Sequence, residues 1–424
     1  MTESFLHYVW QHRRFDFMNA LTTGGEQLNV LHPGLHNTDA GPDFFQATVE
    51  IGGVRWVGNV EIHVRASDWF RHGHQNDPKY RSVILHVVYV PDADVFIDGA
   101  TALPVLVLKG LFDENMFNSY DSLVRHPDVL SCRACLEDVG TLTITSQMSA
   151  ALVGRLLRRS DEFGRTLQQC AYDWDELVYR VIAKAFGCKT NSFAFEYLAQ
   201  SLPYKILFKH KDSSLQLDAL LFGVAGFLDD SDGSDYVDRL VSEYSYLRYK
   251  YGLVPIGSSC WNHLRLRPQN FPAIRIAQFS SLMHACGDSV SSVVLGARAD
   301  ALLKWLDVSP ADYWRTHYRF GKTAPEHTVS LGVQTVNSIF INTIIPLRFM
   351  YARYTGDEGG QEEALSMFER FPFEDNKLTR LCSGSLFEMK HAGDSQAILE
   401  QLREYCFPKR CLKCSIGERI VRGV

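Results

Sequence analysis

Residues 41–77 read GPDFFQATVEIGGVRWVGNVEIHVRASDWFRHGHQND, and the fold is organised around them. Segments 44–51 and 54–64 alternate apolar with polar residues, and Gly52-Gly53 between them signals a hairpin. In the second segment Val60, Ile62 and Val64 point to one face while Glu61 and His63 point together to the other. Asp43 stands at the start of the neighbouring strand, and Trp69, His72, His74 and Asp77 follow the hairpin. Carboxylates and imidazoles are denser here than anywhere else in the chain.

Working outward, residues 83–90 form a nearly continuous apolar run of strand length, which predicts a strand buried on both faces. Residues 2–12 predict a short helix capped by Thr2 or Ser4, and residues 27–31 and 104–108 add strands. The period turns helical near residue 142. Asp173 with Glu176 signals a capping box for a helix ending before Gly187, and seven similar helices follow. The class expected is α+β, with an N-terminal mixed α/β sheet domain over residues 1–127 and a mostly α-helical domain over residues 141–424. That second domain carries a C-terminal cysteine cluster.

The chain has 424 residues, with 46% hydrophobic and 22% charged residues and a net charge of −6. Disorder is therefore not expected, and a surface that wraps nucleic acid as a whole is excluded, because such binding rests on Lys and Arg. Local basic patches remain: Arg155, Arg158, Arg159 and Arg165; Lys205, Lys209, His210 and Lys211; and Lys409, Arg410, Lys413, Arg419 and Arg422. Each reads as a solvated face or as a place to hold phosphates. There is neither a secretory signal at the N-terminus nor an apolar run long enough to span a bilayer, so a soluble cytoplasmic protein with no membrane partner is expected.

Two carboxylates meeting at a strand end suit Mg²⁺ or Mn²⁺, which makes Asp43 and Glu61 candidate metal ligands and, with His63, candidate catalytic residues. Geometry constrains this. If Gly52-Gly53 is a tight two-residue turn, counting outward sets Asp43 opposite Ile62, on the wrong face from Glu61. A one-residue bulge or a three-residue loop repairs the register, and Gly58 is the natural place for a bulge. The plainer alternative is a turn residue at Asp43 and a solvated strand face at Glu61 and His63. His72 and His74 are two residues apart and share a face only in an extended loop; with His63 they would make a three-histidine zinc site. His86, inside an apolar strand, reads as a core histidine.

Cys132-x-x-Cys135 and Cys411-x-x-Cys414 are two chelating pairs, which together would close an all-thiolate structural zinc site. The alternatives are Cys406, Cys411 and Cys414 with a distant fourth ligand, binding zinc or an iron–sulfur cluster, or reduced thiols with no metal.

Pro42-Asp43, a hairpin and Glu61-Ile62-His63 resemble the Pro-Asp...(Asp/Glu)-x-Lys signature of restriction-endonuclease-like nucleases. The resemblance implies Mg²⁺ bound by Asp43 and Glu61, with His63 in the position of the lysine that positions water. A neutral imidazole there is not a fixed cation. More of the chain is similar to a bacterial family, domain of unknown function 2851: residues 5–10, Gly41 to Phe44, Gly58 to His63, Ser67 to Trp69, His72 to His74, residues 83–88 and residues 410–417. That resemblance implies kinship and no particular activity. Two functions are expected to compete: a metal-dependent nuclease or phosphodiesterase acting on DNA or RNA, and a non-catalytic interaction protein that uses a degenerate nuclease-like core as a binding platform.

Overall fold

The run Val83–Val90 forms an inner strand because its β-branched residues have apolar neighbours on both sides. The structure, a computed structural model, describes residues 1–97, 101–229, 232–382 and 388–423. In chain order the first part holds α1 (Glu3–Gln11), β1 (Leu28–His32), β2 (Leu35–His36), β3 (Phe44–Ile51), β4 (Val54–Arg65), α2 (Asp68–Arg71), β5 (Val83–Val90), β6 (Phe96–Ile97), β7 (Thr101–Ala102), β8 (Val105–Val107) and α3 (Glu114–Arg125). One mixed sheet runs β1-β3-β4-β5-β8, with β2 beside β3; β6 and β7 pair separately. β1/β3 and β3/β4 are antiparallel, whereas β4/β5 and β5/β8 are parallel. A parallel pair requires a crossover, and residues 66–82 supply it in short helical turns.

The two faces of this sheet differ chemically. Val60, Ile62, Leu85 and Val87 lie in one apolar core with Phe5, Leu6 and Val9 of α1 and Leu123 of α3. Burying Phe5, Leu6 or Val9 contributes roughly 1.5–3 kcal/mol each. α1 starts at Thr2, whose hydroxyl accepts the Phe5 N–H at 3.4 Å. The opposite face carries Glu61, His63 and His86, and the crossover residues Trp69 and Tyr80 cover it.

Two compact units divide the chain. The first is Met1–Met148 with Leu381–Phe387 and Gln401–Val424; the second is Ser149–Arg380 with Glu388–Glu400. This differs from a division into 1–127 and 141–424 chiefly at the C-terminal segment. That segment groups with the sheet because helix Ser415–Arg422 buries Val421 in the core shared by Phe5 and Leu123.

The second unit is helical apart from one small β pair, His317–Arg319 with Lys322–Thr323, among the described residues. Helices Trp174–Phe186, Ser192–Ser201, Ser214–Val224 and Pro272–His284 surround Phe186, Phe195, Phe222 and Phe279. Asp173 caps the first of these through Glu176 N–H at 3.1 Å. Glu176 does not reciprocate as a capping box would: its carboxylate takes the Tyr204 N–H and Arg180 Nε instead. No helix among the described residues is long and apolar enough to cross a membrane.

Candidate metal centre

Ile51 pairs with Val54 across the Gly52-Gly53 turn, and Ala47 still faces Gly58. The next pair is Phe44 with Val60, so Phe45 and Gln46 together stand opposite Asn59 alone. This is a β-bulge. Gln46 takes a left-handed conformation, φ 54°, and its N–H reaches Asn59 Oδ1 at 3.2 Å. The extra residue moves Asp43 from opposite Ile62 to opposite Glu61, onto the same face. Side chain and backbone then interlock: Asp43 N–H donates to Glu61 Oε2 at 3.1 Å, and Ile62 N–H donates to Asp43 Oδ2 at 2.9 Å. The bulge lies on β3, opposite Asn59, and not at the expected Gly58. Gly58 is required for another reason, since a Cβ there would overlap the Ile84 side chain and the Ser82 carbonyl of the approaching parallel segment.

Around Glu61 the imidazoles converge. Glu61 Oε1 lies 3.1 Å from His74 Nε2 and 3.4 Å from His63 Nε2. His63 Nε2 is 3.1 Å from His72 Nδ1, and His63 Nδ1 is 2.9 Å from His86 Nε2. His63, His72 and His74 each offer a nitrogen within 4.8 Å of the others. The loop that brings His72 and His74 together is not extended. His72 ends α2, Gly73 turns the chain at φ 76°, and His74 opens a second helical turn, His74–Asn76. Tyr80 stacks on the His74 ring at 3.7 Å, and Trp69 meets His74 and His86 at their edges. Asp77 is structural, capping the turn Pro78–Ser82 through the Lys79 N–H.

The electrostatics follow from this burial. Glu61 and His63 are 4% and 2% exposed. Burial raises the Glu61 carboxyl, opposed by the His74 hydrogen bond and reinforced by the charge of Asp43. Burial, then His86, His74 and His72, push His63 down to about 2. Burial and His74 push His86 down to about 3. Near pH 7 both imidazoles are neutral and keep a lone pair for a cation. The donor set of three imidazoles and a buried carboxylate fits a divalent ion, and its nitrogen content fits Zn²⁺ or Mn²⁺ better than the all-oxygen preference of Mg²⁺.

Two participants escape the sequence reading. His7 of α1 brings Nε2 within 3.3 Å of Asp43 Oδ2; only a helix packed over the sheet edge could deliver it. His86 has no exposed surface, as a core histidine would, yet it lies against His63. His7, His36, Lys409, Arg410 and Lys413 line a cavity of about 690 Å³ beside Asp43. The first arginine patch is largely occupied by carboxylates: Arg158 by Glu162 and Glu400, Arg155 by Glu400, and Arg159 by Glu162. The second patch is engaged locally, with His210 between Gln216 and Tyr251.

No curated protein and no solved structure matches the chain. The family model described as Protein of unknown function (DUF2851) matches residues 3–377, which include α1, the whole sheet, the bulged hairpin and the histidine-bearing crossover. With that much of its length matched, the chain belongs to the DUF2851 family.

Proposed function

We propose that this protein is a metal-dependent hydrolase of phosphodiester bonds in nucleic acid. The observation that carries the reading is the convergence of Glu61 with His63, His72 and His74 on one sheet face beside Asp43. The order helix, antiparallel strands, crossover and parallel strand, with Pro42-Asp43 and Glu61-x-His63 on adjacent strands, also supports a likeness to restriction-endonuclease-like nucleases.

Glu61, His63, His72 and His74 would hold the ion, and a divalent ion there would supply Lewis-acid polarisation of a phosphoryl oxygen and of water. Asp43 Oδ2 orients His7 from its buried Nε2 side, and the His7 ring lines the open cavity, where the imidazole would exchange a proton with the attacking water or the leaving oxygen. Arg410 and Lys413 give the same cavity positive charge that phosphates need. Trp69 and Tyr80 keep bulk water from the far side of the imidazoles.

The test is incubation of the full chain with labelled DNA and RNA in Mn²⁺, Zn²⁺ or Mg²⁺, beside Glu61→Gln and Asp43→Asn. Cleavage should fall at least about 100-fold in each variant. Cleavage indifferent to both would refute the site. A second reading, a binding platform without catalysis, draws on His63, a neutral imidazole where the nuclease signature has lysine. Tight binding with no cleavage in any metal would favour it.

A further inference from the structure

We propose that the helical unit holds a second binding site, one for a nucleoside phosphate, in the cavity lined by the helices Thr141–Gln169, Trp174–Phe186, Ser192–Ser201 and Val333–Ile339. The proposal goes beyond the hydrolase reading and does not depend on it. A volume of about 560 Å³ falls in the range of roughly 300–1,000 Å³ that small-molecule sites occupy. Among the described residues the cysteines offer no comparable site: Cys132, Cys406, Cys411 and Cys414 line one small cavity without Cys135, but no three of their sulfurs come within 4.8 Å of one another.

Charge singles the larger cavity out. Arg159, Arg165, Arg180, Lys184 and Lys189 line it against two carboxylates, Glu162 and Glu196. Three of the cations are taken: Arg159 by Glu162, Lys184 by Glu196 at 2.8 Å, and Arg180 by Glu176 at 2.7 Å. Arg165 and Lys189 are exposed and form no ion pair among the described residues. Phosphate oxygens are the natural partners of a guanidinium fork and an ammonium group left over in this way. Arg159 is fixed from a second side as well. Pro346 has no N–H to give the Asn342 carbonyl four residues back, and Arg159 Nη2 donates to that carbonyl at 3.0 Å. Asn342 belongs to a π-helical turn, Phe340–Ile344, and such turns collect at functional sites.

A separate observation lies behind the cavity wall. Arg275 is 4% exposed, yet no carboxylate pairs with it among the described residues. Its Nη1 donates to Gln278 Oε1 at 3.1 Å, and its Nη2 to Asn270 Oδ1 at 2.6 Å and Thr335 Oγ1 at 3.0 Å. All three acceptors are neutral, and Nε has no partner among the described residues. A buried cation held only by neutral groups is costly, and an anion nearby offsets that cost. Thr335 lines the cavity, and Cys188 lines both it and the smaller space, about 40 Å³, that Arg275 borders. Phosphate bound there would bring the missing negative charge to the other side of Thr335.

The organic part of the ligand has surfaces of its own. Val181 and Ile339 give the cavity apolar wall. Ser192 and Glu196 line it from one stripe of their helix, and Phe193 and Tyr197 occupy the next stripe round. These two rings are 74% and 43% exposed and stack with centroids 6.3 Å apart. Cations beside exposed aromatic faces are the combination that holds phosphates and nucleobases together. A phosphorylated ligand without a base would leave both rings bare.

Calorimetric titration of the full chain in EDTA tests the inference, with adenosine triphosphate, tripolyphosphate and a short single-stranded DNA as probes. No divalent ion is present, so cleavage does not enter, and failure of the hydrolase reading would leave the result readable. Adenosine triphosphate should bind once per chain, at least about 10-fold more tightly than tripolyphosphate. Arg165→Ala with Lys189→Ala should weaken both about 10- to 100-fold; because the two residues are exposed, that variant should fold. Phe193→Ala with Tyr197→Ala should weaken adenosine triphosphate about 10-fold and spare tripolyphosphate. Single-stranded DNA that displaces the nucleotide would identify a strand as its source, and DNA that does not would identify a free nucleotide. Absence of adenosine triphosphate binding, tripolyphosphate bound as tightly, or an affinity that survives Arg165→Ala with Lys189→Ala would overturn the inference. So would an affinity lost instead in Arg410→Ala with Lys413→Ala, which would move the nucleotide to the cavity beside His7.

Discussion

His63 Nδ1 lies 2.9 Å from Nε2 of His86, a fully buried residue whose other nitrogen has no hydrogen-bond partner among the described residues. If His63 Nε2 binds a metal, its Nδ1 must carry the proton, and His86 Nε2 is the acceptor that holds it there. Replacing His86 with Phe keeps the ring volume and removes that acceptor. Zn²⁺ or Mn²⁺ affinity, read by titration calorimetry, should fall about 10- to 100-fold. An unchanged affinity would remove His63 from the ligand set.

The bulge and the nearby glycine of β4 should respond in opposite directions. Gln46 holds a left-handed conformation that suits glycine better, so Gln46→Gly should leave stability unchanged or raise it by up to about 1 kcal/mol. Gly58→Ala places a methyl against Ile84 and the Ser82 carbonyl and should cost about 1–3 kcal/mol. Urea midpoints at constant slope measure both. A neutral Gly58→Ala would mean that β4 and β5 lie farther apart.

In the helical unit, burial pushes Asp218 up to about 6, opposed by hydrogen bonds from Ser280 and Tyr236, the latter at 2.9 Å. A raised folded pKa means that the stability Asp218 contributes is fully present below its unfolded value near 4 and is lost as pH rises through about 6. The loss amounts to about 3 kcal/mol. Asp218→Asn cannot ionise. Its stability relative to the wild type should therefore climb between pH 4 and pH 7, and parallel urea curves across that range would expose an Asp218 that is ionised when folded.

Arg410 and Lys413 line the cavity next to His7 and should act as phosphate contacts. Replacing either with Ala should weaken binding of oligonucleotides of any sequence and lower the slope of log affinity against log salt by about 1. Fluorescence anisotropy from low to moderate salt measures this. A double variant with an unaltered slope would place nucleic acid elsewhere.

Much of the fold was legible because it rests on short-range patterning. The alternation about Gly52-Gly53 encodes the hairpin, and the apolar run Val83–Val90 encodes a strand buried on both faces. The need for an irregularity between Asp43 and Glu61 was legible from counting. Its strand was not, because it turns on Gln46 accepting a left-handed conformation and on the Asn59 amide that holds it. His86 illustrates a deeper limit: an apolar run shows that a histidine is buried but not which strand lies beside it. The pairing of His86 with Glu61 follows a second register shift, between Asn59 and Val60, in a parallel ladder joined only through the crossover. Likewise Cys406 and Cys132 line one cavity through the packing of segments far apart in sequence, which no local spacing records.

The bulge at Phe45-Gln46 also makes the hairpin sensitive to parity. With the turn unchanged, losing or gaining one residue between Asp43 and Gly52 rotates the aspartate to the apolar side, while a change of two restores it. Odd length changes should thus silence the centre and even ones spare it, whatever residues are involved. In any related chain, odd or even spacing between the Pro-Asp pair and the glycine turn then tells whether both acids still look the same way.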